Sequence, residues 1–296
     1  MKPGVVEHEP NGAPLDRAMT ADREEIKFVI EPSRAPALVR ALHRELTAHR
    51  FRGEGANVLP DAQHFTTTVY FDTPTRALYR AACENPGNHG KLRAREYYDL
   101  HSSLAELATS PEQIVRHQPW LFFELKRRAE ARTFKHRVRL LKTEIEECFR
   151  QCRFDHARLD GSDPAEMADR VALEAFCAEI REPLAPSCVV NYRRLAFQDQ
   201  LGALRVTLDL NVAYYRPLTV AWQSPGALLR TNLGAPVGGL RGCLLEVKLR
   251  GEAPAWLTRA LDGAAGRREA FSKFSAASAA VLAAQQGAHA QEVVTP

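Results

Sequence analysis

Charged residues in this chain recur at every second position of short segments, with apolar residues filling the positions between them. Lys91, Arg93 and Arg95 show this spacing, and Lys126 and Lys248 belong to two further segments of the same kind. Because successive side chains of a β-strand point to opposite faces, the charges share one face and the apolar residues share the other. Arginine and lysine at these positions could bind an anion. The spacing predicts strands with one charged face and one apolar face.

An antiparallel sheet with one face in water shows the same alternation and is the alternative interpretation. One sign of charge dominates the polar faces here, and like charges on neighbouring strands repel by roughly a few tenths of a kcal/mol per pair. A bound polyanion would offset that repulsion. Eight strands closed into a barrel, with charged faces inward and apolar faces under helices, would form a basic, water-filled tunnel.

The elements that must position these charges can be read from the same periodicity. One strand, Leu204–Val212, places Arg205, Thr207, Asp209 and Asn211 on its charged face. Helical patterning covers 35–49, 143–154, 164–180 and about 253–284, with an interruption at 263–266. Strand and helical patterning together predict an α+β fold. The eight predicted strands are 23–30, 64–71, 91–98, 121–128, 133–141, 189–197, 204–212 and 243–250.

Composition narrows the class of protein. The chain has 296 residues, of which 45% are hydrophobic and 26% charged, values typical of a globular protein. We expect a single tunnel domain over 23–285 between disordered tails at 1–22 and 286–296. The 40 basic and 36 acidic residues nearly balance, which argues against a nucleic-acid-binding surface. No apolar stretch reaches the ~20 residues of a transmembrane helix, so a cytoplasmic location is predicted.

Nine segments in this order resemble the VTC (vacuolar transporter chaperone) polyphosphate polymerase domain, a family within the CYTH-like triphosphate tunnel metalloenzyme superfamily. The resemblance runs from about residue 23 to 282 and implies the triphosphate tunnel fold, an eight-stranded antiparallel β tunnel with flanking helices. The segments are EIKFVI, which contains Glu25 and Lys27, TVYFDT at 68–73, KLRAREY at 91–97, FFELK at 122–126, KHRV at 135–138, NYRRLAFQ at 191–198, RVTLD at 205–209, LLEVKLRG at 244–251 and FSKF at 271–274.

The resemblance also implies roles for individual residues. Arg93, Lys126 and Lys248 would stabilise the transferring phosphoryl group. Glu246 would bind a divalent metal, Mn²⁺ or Mg²⁺, which suits a carboxylate combined with phosphate oxygens. Glu25, Glu124 and Asp209 are either further metal-site carboxylates or charge balance. The implied phosphate-binding residues are Lys27, Arg93, Arg95, Lys126, Lys135, Tyr192, Arg194, Arg205, Lys248, Ser272 and Lys273.

The function implied by the resemblance is transfer of the γ-phosphate of ATP to a growing inorganic polyphosphate chain, with ATP and polyphosphate as the partners. Two alternatives stay open: a metal-dependent triphosphate hydrolase and a non-catalytic polyphosphate-binding domain. The hydrolase branch of the superfamily is typified by a first strand of the form E-x-E-x-K. In this chain Arg23 stands where the first glutamate would be.

Overall fold

The computed structural model describes residues 24–48, 63–98, 120–129, 132–155, 157, 163–218, 224, 226–264 and 267–292. The strands are β1 Glu24–Ile30, β2 Thr47–Ala48, β3 Gln63–Asp72, β4 His89–Tyr98, β5 Trp120–Ala129, β6 Arg132–Leu141, β7 Ala185–Gln198, β8 Leu204–Tyr215, β9 Gly238–Gly239, β10 Cys243–Leu249 and β11 Arg267–Arg268. The helices are α1 Ala35–Glu45, α2 Ala77–Glu84, α3 Ile145–Gln151, α4 Pro164–Glu179, α5 Ala255–Ala264 and α6 Lys273–Glu292.

The strands form one antiparallel sheet in the order β11-β1-β10-β8-β7-β3-β4-β5-β6, with β2 on β7 and β9 on β8. The long strands are the eight that the periodicity predicts. The sheet curls into a half-barrel. This curl brings Glu25 Oε2 on β1 to 3.8 Å from Lys126 Nζ on β5, although five strands separate β1 from β5 in the sheet. The predicted eight-stranded antiparallel tunnel with flanking helices is thereby confirmed.

Helices cover the apolar, convex face of the sheet. Leu38 and Leu42 of α1 and Leu257 of α5 pack against the β8–β10 side, where Leu208 and Val247 are fully buried. Burying a leucine-sized side chain stabilises the fold by about 1.5–3 kcal/mol.

On the same convex face, at the other end of the sheet, α4 lies against β4–β6. The Asp163 side chain accepts a hydrogen bond from the backbone N–H of Ala165 and so caps the start of α4. A Cβ on Gly90 would lie only 2.2 Å from Phe176 of α4, so glycine permits this close approach.

Two predicted details differ in the structure. Asn211 adopts a left-handed backbone (φ 53°), and the β7–β8 register shifts beside it, so the prediction that it continues the charged face of β8 is wrong. Asparagine tolerates this conformation better than most residues. Helix α6 continues to Glu292, beyond the predicted domain end at 285, whereas residues 1–22 lie outside the described part of the chain. None of the helices described is long and apolar enough to cross a membrane.

A buried ion pair on the convex side gives a test of the fold alone. Lys142 Nζ lies 2.7 Å from Glu96 Oε1, and both side chains are almost fully buried. Burial raises the pKa of Glu96, although Lys142 opposes the shift. Lys142→Met removes the partner of a buried carboxylate, so we expect the free energy of unfolding in urea to fall by about 3 kcal/mol.

The double variant Glu96→Gln, Lys142→Met is the control, because it removes both charges and should recover much of this loss. A loss below about 1 kcal/mol for Lys142→Met alone would contradict the assignment.

Candidate functional site

The register of β4, β5 and β6 aligns charged side chains in two rows on the concave face. Each row crosses all three strands, and the rows are two residues apart along each strand. The rows consist of Lys91, Lys126 and Lys135, and of Arg93, Glu124 and Arg137.

The opposite wall, formed by β1, β10, β8 and β7, carries matching rows. Lys248 of β10 lies between Glu25 of β1 and Arg205 of β8. In the next row Glu246 of β10 lies beside Lys27 of β1. The register of β8 and β7 further aligns Asp209 with Arg194. The charged positions of both walls therefore face the same interior.

Glu124 is the centre of the first wall and is fully buried. Arg93 donates from Nε to Oε2 over 2.7 Å, and Arg137 donates from Nε to Oε1 over 2.6 Å. Lys135 Nζ lies 3.3 Å from Oε1, and an Arg95 terminal nitrogen lies 3.9 Å from Oε2. Burial would raise the pKa of Glu124, but these cations outweigh it and hold the pKa well below its usual range. Glu124 is therefore ionised at neutral pH.

Asp209 holds the cations of the second wall. Arg194 donates to both carboxylate oxygens, over 2.6 and 2.8 Å, and Lys273 Nζ lies 2.6 Å from Oδ2. The ring of Tyr192 lies 4.7 Å from Lys273 Nζ and 5.2 Å from the Arg194 guanidinium carbon. The Tyr192 hydroxyl is buried and has no hydrogen-bond partner in the described part of the chain.

The segment before α6 crosses the interior and ties the two walls together. Lys27 donates to the backbone oxygen of Phe271 over 3.2 Å, and Lys91 donates to Ser272 Oγ over 3.0 Å. Lys273, the first residue of α6, reaches Asp209 on β8. Phe274 then packs against Tyr70 of β3, which faces the same interior, with ring centroids 5.1 Å apart. Helix α6 therefore covers part of the concave face.

Glu25 contacts Lys126 and Lys248, the two lysines to which the family resemblance gives a catalytic role. Its Oε2 lies 3.8 Å from Lys126 Nζ and 4.0 Å from Lys248 Nζ, and its Oε1 lies 2.8 Å from Lys27 Nζ. Burial and Glu246 would both raise the pKa of Glu25, but the three lysines lower it below its usual value. The interior is thus narrow enough for β5 and β10 to contact one ligand.

Glu246 fits a metal site that is completed by substrate. Burial would raise its pKa, but Lys248, Lys27, Arg194 and Lys273 hold it well below the usual range, so the carboxylate is ionised. No group of three histidine, cysteine or acidic side chains converges among the residues that the structure describes. Mg²⁺ is commonly bound by one or two carboxylates together with phosphates and waters. Glu246, with Glu25 nearby, matches that kind of site.

The structure brings all the predicted site residues to the concave face or to the segment that crosses it. Arg205 is placed by its register beside Lys248. Lys91 and Arg137 also belong to this surface, although the motif comparison did not assign them a role; their strand parity was the signal. Arg127 lies on the convex side instead, with its guanidinium 6.0 Å from the Phe176 ring.

Two lysines of the surface have lowered pKa values. Burial, reinforced by neighbouring cations, lowers the pKa of Lys91 to about 8. Burial also lowers the pKa of Lys126 to about 8, although Glu25 and Glu246 oppose the shift. Both lysines therefore lose their protons at a lower pH than an exposed lysine does.

These pKa values predict how polyanion binding depends on pH. A bound polyanion stabilises the protonated lysines, so affinity is full below pH 8 and falls as the pH rises through 8. We expect the dissociation constant of long-chain polyphosphate to rise by about tenfold for each of the two lysines between pH 7 and 9. Calorimetric titration at constant ionic strength measures this change. An affinity that stays constant over that range would contradict the prediction.

The fold and the site thus define a curled antiparallel sheet whose concave face is basic. The family model described as VTC domain matches residues 22–282. The chain therefore belongs to the VTC domain family, and the resemblance of the nine segments is confirmed. No curated protein sequence matches the chain.

Solved structures show a more distant likeness. A "putative adenylate cyclase" from Bacillus halodurans is 15% identical, with a TM-score of 0.45, over 85% of this chain and 95% of that one. A protein of the same description from Vibrio parahaemolyticus is 12% identical, with a TM-score of 0.37, over 85% and 94%. PH1819 from Pyrococcus horikoshii is 11% identical, with a TM-score of 0.38, over 89% and 98%. Likeness at this level says nothing about the chemistry of this chain.

Proposed function

We propose that this protein is a polyphosphate polymerase that transfers the γ-phosphoryl group of ATP to the end of an inorganic polyphosphate chain. The observation that carries the proposal is the charge of the concave face. Cations from both walls outnumber its carboxylates Glu25, Glu124, Asp209 and Glu246 by more than two to one. These cations are Lys27, Lys91, Arg93, Arg95, Lys126, Lys135, Arg137, Arg194, Arg205, Lys248 and Lys273.

Phosphoryl transfer requires little covalent chemistry from a protein, because positioning and neutralisation of the developing charge do most of the work. A terminal oxygen of the polyphosphate chain attacks the γ-phosphorus of ATP and forms the new P–O bond. The bond between that phosphorus and the β–γ bridging oxygen breaks, and ADP leaves with the electron pair. No residue of the protein forms a bond to phosphorus.

The residues on the two walls have complementary tasks in this reaction. Lys126 and Lys248, which Glu25 brings together from opposite walls, neutralise charge on the transferring group. Arg93 donates hydrogen bonds from its planar guanidinium group on the first wall. Arg194, Lys273 and the Tyr192 hydroxyl hold phosphates on the second wall. A row of such groups suits a repeating polyanion, because each phosphate unit presents the same oxygens.

A divalent cation would be held by Glu246, with Glu25 as a neighbouring carboxylate. Mn²⁺ or Mg²⁺ at this position would supply charge neutralisation at phosphate oxygens. Glu246 itself is kept ionised and oriented by the lysines around it, and Lys248 Nζ lies 3.0 Å from its Oε1.

Incubation of the purified protein with ATP and Mn²⁺ or Mg²⁺ tests the proposal. We expect ADP to appear together with a ladder of polyphosphate chains on a gel. Release of orthophosphate without polymer would overturn the proposal in favour of a triphosphate hydrolase. Retention of added polyphosphate without any turnover of ATP would overturn it in favour of a binding domain.

A further inference from the structure

Glu124 is a fully buried carboxylate in the middle of a surface built to bind anions. Its two oxygens are divided between two arginines on neighbouring strands. Nε and a terminal nitrogen of Arg93 both lie 2.7 Å from Oε2, while Nε and a terminal nitrogen of Arg137 contact Oε1. Each guanidinium therefore presents the same edge to the carboxylate.

This edge-on contact fixes the orientation of both guanidinium groups. The five N–H bonds of arginine lie in one plane at fixed angles, so holding the edge formed by Nε and one terminal nitrogen also fixes the direction of the other terminal nitrogen. That nitrogen points away from Glu124 in each arginine. Arg93 and Arg137 are thereby set as two oriented donors on either side of β5.

The same carboxylate weakens the attraction of the surface for a polyanion. It is ionised at neutral pH, and it offsets one unit of positive charge among Arg93, Arg95, Lys135 and Arg137. A surface that only retained polyphosphate would bind more tightly without it. Glu124 thus lowers the affinity for a polyanion and fixes the orientation of Arg93 and Arg137. This combination favours binding of the transition state over binding of the substrate.

We propose that Glu124 is a positioning residue for phosphoryl transfer. It fixes the orientation of the Arg93 and Arg137 guanidinium groups, and its negative charge lowers the affinity of the surface for a polyanion. The proposal rests on the proposed polymerase function. It predicts that affinity and rate change in opposite directions when the charge of Glu124 is removed, which loss of local structure would not produce.

Glu124→Gln tests this inference through two measurements on the full chain. We expect the dissociation constant of long-chain polyphosphate to fall about threefold to tenfold, because the surface gains one unit of net positive charge. We expect the single-turnover rate of transfer from saturating ATP to fall at least tenfold, because misoriented donors lose transition-state stabilisation. Glu179→Gln on α4, which removes an exposed carboxylate from the convex side, should change neither quantity.

Glu124→Asp supplies a second test that keeps the charge and shortens the side chain. We expect its polyphosphate affinity to stay within twofold of that of the unmodified protein, and its transfer rate to fall. If Glu124→Gln does not fold, this variant alone decides the matter. A transfer rate equal to that of the unmodified protein in either variant would overturn the inference, as would weaker polyphosphate binding by a folded Glu124→Gln protein.

The two proposals fail in distinguishable ways. An unmodified protein that makes no polymer from ATP would contradict the polymerase function. An unmodified protein that makes polymer, together with a Glu124→Gln protein that makes it equally fast, would contradict only the positioning role of Glu124.

Discussion

Glu246→Gln is expected to slow metal-dependent polyphosphate synthesis by about 10²–10³-fold while polyphosphate continues to bind. The amide keeps the shape of the side chain but loses the negative charge that a hard divalent cation requires. The change also removes one negative charge from the basic interior, so polyphosphate affinity should stay equal or rise. The measurement pairs initial rates of ADP release at saturating Mn²⁺ with polyphosphate binding in the absence of metal.

The matched control for this variant is Glu179→Gln, the same substitution on the convex side of α4. It should retain the full rate. A Glu246→Gln protein that synthesises polymer at the unmodified rate would remove Glu246 from the site, and one that loses polyphosphate binding would show that the carboxylate has a structural role instead.

Lys126→Met and Arg127→Met form a pair of adjacent substitutions with opposite expected results. Lys126 faces the interior near Glu25. Arg127 instead lies against α4, where a terminal guanidinium nitrogen is 4.0 Å from Glu179 Oε1. Loss of the Lys126 charge should lower the transfer rate by about 100-fold, because a donor at the transferring group is removed. Arg127→Met should leave the rate within about twofold, because exposed ion pairs contribute little.

Single-turnover kinetics with both variants, at matched ionic strength, measure this difference. The pair controls for the loss of one positive charge from the same strand. Equal losses of transfer rate in the two variants would contradict this prediction. They would mean that activity depends on the net charge of the protein and not on the face of β5 from which a side chain points.

Strand parity predicted the main feature of the fold because a two-residue period needs only a few residues to show itself. It placed Lys126 inside and Arg127 outside from their positions alone. The two-residue strands β2, β9 and β11 were not predictable, since they are too short to show any period. The bulge at Asn211 was missed for a related reason: a single left-handed residue changes the parity of a strand without changing its alternating pattern.

The candidate site was predictable as a set of residues but not as a set of contacts. The sequence placed Glu124 on the same face as its cationic neighbours, yet which arginines meet it depends on the register of β4 and β6. The contact between Glu25 and Lys126 depends on the curl of the whole sheet, which the pattern within any one strand does not contain. The passage of residues 271–273 across the interior likewise depends on where α6 packs.

A crystal structure of the protein soaked with tripolyphosphate tests most directly whether the cations of both walls form one polyanion site. We expect phosphate density along the concave face, with oxygens within hydrogen-bond distance of Arg93, Lys126 and Lys248. Density confined to the convex surface, with these three side chains still held by Glu124, Glu25 and Glu246, would contradict the account.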